Sequence, residues 1–144
     1  MIPNKIGAAA DRGTAGKLAL ACRILLSTLF LVTGIEGAAA PIGFAHGLAQ
    51  MGVPFPGLAA AASITINLVA PLILILNFRG FGWLAALLLA LFTAATIPYG
   101  HPFWLLDEPR RSIAFHIAAE HLSLIGGLLF VALTLPRRAP RTDA

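Results

Sequence analysis

Near the carboxyl end, the stretch "AFHIAAEHLSLIGG" (Ala114–Gly127) sets His116, Glu120 and His121 inside an otherwise apolar run. A carboxylate at bilayer depth costs several kcal/mol, so a group of this kind calls for a partner or a task. Imidazoles titrate near neutrality, and two of them beside a carboxyl could relay protons. His116 and Glu120 are four apart and share a helix face, which Ser123 and Gly127 continue. That edge is expected to face other helices, with Ser123 and Gly127 as a small-residue pair permitting close approach. His121 points about 100° away from Glu120 around the helix. The catalytic candidates are therefore Glu120, His116 and His121. The plainer alternative is a packing seam in which Glu120 is satisfied by His116 or by groups near Glu36.

A metal site built from His116, Glu120 and His121, completed by His101 or His46, is chemically conceivable. Residues 120 and 121 diverge on a helix, however, and the spacing is not HExxH. No metal is expected.

Four further polar residues sit within apolar runs and are candidates for ligand binding: Arg23, Asn67, Glu36 and Tyr99. Arg23 is expected to snorkel to the near interface, with Asn67 as the alternative partner. Pro71, four residues after Asn67, lacks the N–H that would bond the Asn67 carbonyl. A kink there would open a small polar pocket at mid-depth. Cys22 is the only cysteine, so neither an intrachain disulfide nor a CxxC motif exists; it reads as a small packing residue.

The elements that must position these groups are membrane spans. The chain is 58% hydrophobic and 11% charged, with a mean hydropathy of +0.87. A soluble domain carries about 25% charged residues. The net charge of +4 sits mainly in the ends and connections, with no basic stripe interleaved with aromatics, so nucleic acid is not an expected partner. A membrane helix needs about 20 apolar residues, and four runs qualify: 18–38, 58–77, 81–99 and 113–135. None alternates with period two, and lipid-exposed backbone must bond to itself, which leaves helices. The expected fold is an all-α polytopic four-helix bundle over 18–135, with polar tails at 1–17 and 136–144 lacking fixed structure. Phe44–Met51, between spans one and two, reads as a short interfacial helix.

Lys5, Arg12, Lys17, Arg79, Arg137, Arg138 and Arg141 fall on one side, against Arg110 and Arg111 on the other. The positive-inside rule then places both termini in the cytoplasm. "GAAAP" at Gly37–Pro41 imitates a signal-peptide cleavage site, but the long basic region and the interruptions at Arg23 and Glu36 favour an uncleaved span.

The order of motifs resembles the DoxX/DoxD-like family of small four-helix membrane proteins. The residues that carry the resemblance are "RILLSTLFLVTGIEG", "PIGFAHGLAQMGVPFPG", "INLVAPLILILNFRGFGWLAALLLALFTAAT" and "HLSLIGGLLFVAL", together spanning most of 18–135. Against the family pattern, Asn67 stands where a span-two glutamate is common, and Ala70 and Pro71 replace a glycine pair. Glu36 and Gly37 fall where a lysine usually follows glycine, and His121 stands where an asparagine is common. Arg23, Gly126 and Gly127 match. The resemblance implies a bacterial inner-membrane protein, serving as a membrane subunit or scaffold of a redox or stress-response assembly without catalysis of its own. Two alternatives stay open: a quinone-binding oxidoreductase subunit of the thiosulfate:quinone type, and a small proton-coupled transporter. Quinone is the one cofactor it suggests. Expected partners are the lipid bilayer, a redox-enzyme subunit and, as an open alternative, further copies of the chain.

Overall fold

The computed structural model describes the backbone of residues 5–136 and the side chains of residues 14–136. Helix α1 runs Lys5–Ala39, α2 Pro41–Gln50, α3 Pro56–Leu76, α4 Gly82–Gly100 and α5 Arg110–Thr134. Single 3-10 turns at Phe78–Gly80 and Phe103–Leu105 lie in the connections, and the described residues contain no strand. Four segments are long and apolar enough to cross a membrane: Thr14–Ala39, Pro56–Leu76, Gly82–Leu105 and Arg110–Thr134. The all-α, four-span architecture is thus the one the hydropathy dictates.

Two boundaries differ from expectation. The amino-terminal tail is not irregular up to residue 17, because α1 already begins at Lys5. Its "KIGAAADRGTAGK" is polar but alanine-rich, and alanine favours helix wherever the chain is free to choose. The short helix between spans one and two begins at Pro41 rather than Phe44, since proline's fixed φ suits the first helical position. The carboxyl tail, with Arg137, Arg138 and Arg141, lies outside the described residues.

The spans run alternately up and down. Helix α1 packs along α3, α3 along α4 and α4 along α5, whereas α1 and α5 barely touch. The inside is small and the outside bulky: Ala60, Ala70, Ala85, Ala86, Ala90, Ala114, Ala118 and Ala132 are buried, while Leu25, Leu58, Phe130 and Leu133 face outward. Lipid solvates leucine as well as a neighbouring helix does, so close approach through small residues holds such helices together.

The core lies toward the end where α1 begins and α5 ends, here called the inner end. Leu74, Ala86, Leu89 and Leu128 are fully buried there with Ala85 and Ala132. Two side chains, Arg23 and Asn77, lock this half. Arg23 donates from Nε to the Ala19 carbonyl (3.3 Å) and from a terminal nitrogen to the Leu74 carbonyl in the last turn of α3 (3.4 Å). Asn77, in the left-handed region at φ 44°, accepts through Oδ1 from the Gly82 N–H at the start of α4 (3.0 Å). Its Nδ2 also donates to the Pro136 carbonyl beyond α5 (3.5 Å). Gly82 is required beside it, since a Cβ there would meet both the Leu135 side chain and Asn77 Oδ1.

Candidate functional site

Among the hollows of the bundle, three stand out. The two larger ones, about 450 and 540 Å³, are shallow grooves on the outer surfaces of α3 against α4 and of α3 against α2. Apart from Thr65 their walls are apolar or glycine, as suits acyl chains. The third is smaller, about 270 Å³, and lies between the spans at the outer end of the bundle. Leu29, Phe30 and Thr33 of α1 line it, with Asn67 of α3, Phe92, Thr93, Thr96 and Gly100 of α4, His101, and His121 of α5. It gathers polar groups inside a bundle whose remaining interior, Ser27 apart, is apolar. We treat it as the candidate site.

Local sequence explains each position. Asn67 is 2% exposed, and its Nδ2 donates to the Ser63 carbonyl one turn back (2.8 Å). Pro71 lies within α3 and supplies no N–H to the Asn67 carbonyl, so that carbonyl is freed from its ordinary helical bond. Across from it, Gly34 lets α1 approach closely: a Cβ there would sit 3.1 Å from the Asn67 carbonyl carbon. On α4, Thr93, Thr96 and Gly100 recur three and four residues apart and so share a face. Thr93 Oγ1 donates to the Leu89 carbonyl (2.8 Å) and Thr96 Oγ1 to the Thr93 carbonyl (2.8 Å).

His121 Nδ1 lies 2.8 Å from the Ile117 carbonyl. A carbonyl can only accept, so Nδ1 carries the hydrogen and Nε2 of the neutral ring is an acceptor. The His121 ring stands edge-on to that of His101, with centroids 5.0 Å apart. Two imidazoles, one from α5 and one just past the end of α4, thus meet at the outer rim of the cavity. Three of its four helix-to-helix walls are closely packed; the fourth, between α1 and α5, is not. Near the inner end those two helices do meet, where a Cβ on Gly127 would lie 3.1 Å from Leu26. The open side of the cavity is therefore the outer part of the α1–α5 seam.

The sequence-derived candidates divide on this geometry. Asn67 and His121 line the cavity. Arg23 lies on the inner side of it, bonded to carbonyls rather than to Asn67. Tyr99 and Glu36 are exposed at the outer end, and Cys22 is exposed on α1. His116 and Glu120 are exposed too, and His116 Nδ1 bonds the Ser112 carbonyl (2.7 Å) in its own helix. The His116–Glu120–Ser123–Gly127 edge was expected to face other helices throughout. It does so at Gly127, but where α1 and α5 part its outer members are left facing outward. Glu120 therefore stands exposed on α5, next in sequence to the one histidine of the stretch that lines the cavity.

His46 bonds Gln50 on α2 (3.1 Å), far along the chain from the His101–His121 pair. Among the described residues no three His, Cys, Asp or Glu side chains converge. Sequence reasoning passed over Thr33, Thr93 and Thr96. Their signal was available: in a leucine-rich span, Thr93, Thr96 and Gly100 form a small polar stripe.

Comparison with known proteins agrees with this architecture. The chain is 26% identical over 119 residues to inner membrane protein YphA of Escherichia coli (strain K12), covering 83% of this chain and 84% of the relative. No solved structure matches it. The family model for DoxX matches residues 18–102, from the first span through the far end of α4, and so takes in every cavity-lining residue except His121. Since that match covers more than half of the chain, the protein belongs to the DoxX family.

Proposed function

We propose that this DoxX-family membrane protein is a binding subunit for a quinone-class amphiphile, serving a redox or stress-response assembly of the bacterial inner membrane without catalysing electron transfer alone. The observation that carries this reading is the cavity itself. Buried Asn67 and Thr93, with His121 at the rim, gather in one hollow walled by Phe30 and Phe92. Buried polar groups in a membrane bundle are expensive unless they serve a structure or a ligand. Ligand pockets usually measure about 300–1,000 Å³, so 270 Å³ suits a single substituted ring and not a larger cofactor. The open seam between α1 and α5 would let such a ring enter sideways while its apolar tail stays in lipid. The His101–His121 pair offers a place to take up or release a proton as the ring changes redox state. Electrons would come from a partner, since the sequence has a single cysteine and no flavin, haem or iron–sulfur motif.

The test is native mass spectrometry of the protein in mild detergent with a short-tailed benzoquinone. Wild type should retain one adduct, and Thr93→Val, which keeps the shape of the wall, should retain less. An adduct absent from wild type, or held equally by Thr93→Val and by a variant of an outward residue such as Leu133→Ala, would refute the cavity assignment.

A further inference from the structure

We infer that the cavity selects a ligand head that donates hydrogen bonds, a phenolic hydroxyl in preference to a carbonyl or an ether, because more than half of the polar side-chain hydrogens lining it are already engaged while four of its groups keep free lone pairs. This rests on the proposed ligand cavity and narrows its ligand class.

The hydrogens can be followed one by one. The Asn67 Nδ2 group gives one of its two hydrogens to the Ser63 carbonyl, and the atom at the other end of the amide is the acceptor Oδ1. Among the described residues that oxygen receives no hydrogen bond. Thr93 uses its only hydroxyl hydrogen on the Leu89 carbonyl, and Thr96 uses its own on the Thr93 carbonyl. Each threonine keeps lone pairs and has nothing further to donate. His121 gives its Nδ1 hydrogen to the Ile117 carbonyl, leaving Nε2 as an acceptor in the neutral ring. Four polar groups on three helices thus offer acceptors to one hollow. The uncommitted donors of the lining are Thr33, His101 at the rim, and the second Asn67 amide hydrogen.

A neutral donor fits better than a cation. No carboxylate lines the cavity, and Glu120 stands outside it. An ammonium group would be buried without a counter-charge, which is far more costly than burying a hydroxyl. The aromatic walls, Phe30 and Phe92, suit a ring. A carbonyl head could be met only by Thr33, His101 or the second amide hydrogen of Asn67, and would leave the four acceptors without a hydrogen. The reduced, dihydroxy form of a ring therefore has the advantage over the dione.

The experiment compares two probes of matched shape, 4-pentylphenol and 4-pentylanisole, by titration calorimetry of the full-length protein in detergent, with empty micelles as the blank. One well-formed hydrogen bond in a dry site is worth about tenfold in affinity, so the phenol should bind about tenfold more tightly than its methyl ether. His121→Phe, which removes one acceptor and keeps a flat ring, should shrink that ratio while leaving the thermal midpoint near that of wild type. Should His121→Phe unfold, Thr96→Val serves the same purpose on α4. Equal affinity for phenol and ether in wild type would overturn donor selection while leaving the cavity as a ring-binding site. Binding of neither probe above the micelle blank would overturn the cavity reading as well.

Discussion

Gly34 is where the architecture is most exposed to test. Replacing it with alanine puts a Cβ 2.9 Å from both Cγ and Cδ2 of Leu68 and 3.1 Å from the carbonyl carbon of Asn67. The Leu68 methyl can rotate away. Its Cγ can shift only a little, and the Asn67 backbone cannot move without α3. Overpacking of this kind costs about 1–3 kcal/mol. Alanine in a helix interior returns about 1 kcal/mol over glycine, so the net loss is about 1 kcal/mol. Gly126→Ala is the control, because nothing lies within 4 Å of its Cβ position and only the favourable propensity remains. The two variants should therefore differ by about 2 kcal/mol, which for a chain of this size separates their melting midpoints by about 4–8 °C. The assay is thermal unfolding in mild detergent, read as the monodisperse fraction surviving on size-exclusion chromatography. If Gly34→Ala melts level with or above Gly126→Ala, then α1 does not cross α3 this tightly at Asn67, and the inner wall of the cavity has been misplaced with it.

Two other outcomes follow from particular residues. Ser27 is fully buried and its hydroxyl has no partner among the described residues, so Ser27→Ala should be neutral or stabilising by up to about 1 kcal/mol in the same assay; a clear loss of stability would mean the hydroxyl is bonded after all. If both termini lie in the cytoplasm, alkaline phosphatase fused after Asp107, between α4 and α5, should be active, and the same enzyme fused after Ala144 should be inactive. The reverse pattern would invert the charge-based orientation.

The spans were legible because about 20 apolar residues bounded by turn residues leave the backbone little choice in lipid. The Asn67–Pro71 pairing was legible for a similarly local reason: proline removes a donor four residues ahead of the carbonyl it would bond. The direction in which α5 faces was not. In a soluble helix the apolar face turns inward, but in a bilayer both faces are apolar and hydropathy loses its sense of direction. Residue size decides instead. Ala114 and Ala118 turn inward with Leu128, and the same line carries His121 in while leaving Glu120 at its edge. The helix-wheel spacing of His116 and Glu120 was correct, yet whether that edge met a neighbour depended on how α1 and α5 diverge, a property of the whole bundle. The start of α1 was misread for the opposite reason, since polarity was taken to mean irregular backbone where alanine content favoured helix.

The neutral residue at position 67 connects these parts. Where the family pattern commonly has a glutamate, position 67 carries asparagine, which offers Arg23 no carboxylate. Seven residues separate Asn67 from Leu74, about 10 Å along α3, and it is at Leu74 that the Arg23 guanidinium lands. Carbonyls in the last turn of a helix carry partial negative charge and receive a cation well, so Arg23 is accommodated without a carboxylate and Asn67 is released from any pairing role. Because Arg23, Asn77 and the alanine core fasten the inner half, the outer halves of α1 and α5 can stand apart without the bundle loosening. An acid at position 67 would bring a charge into that gap and favour a cationic or protonated guest. With an amide whose oxygen is free, the gap is polar, uncharged and rich in acceptors, which is the environment a neutral hydroxyl on an apolar ring would choose over the surrounding lipid.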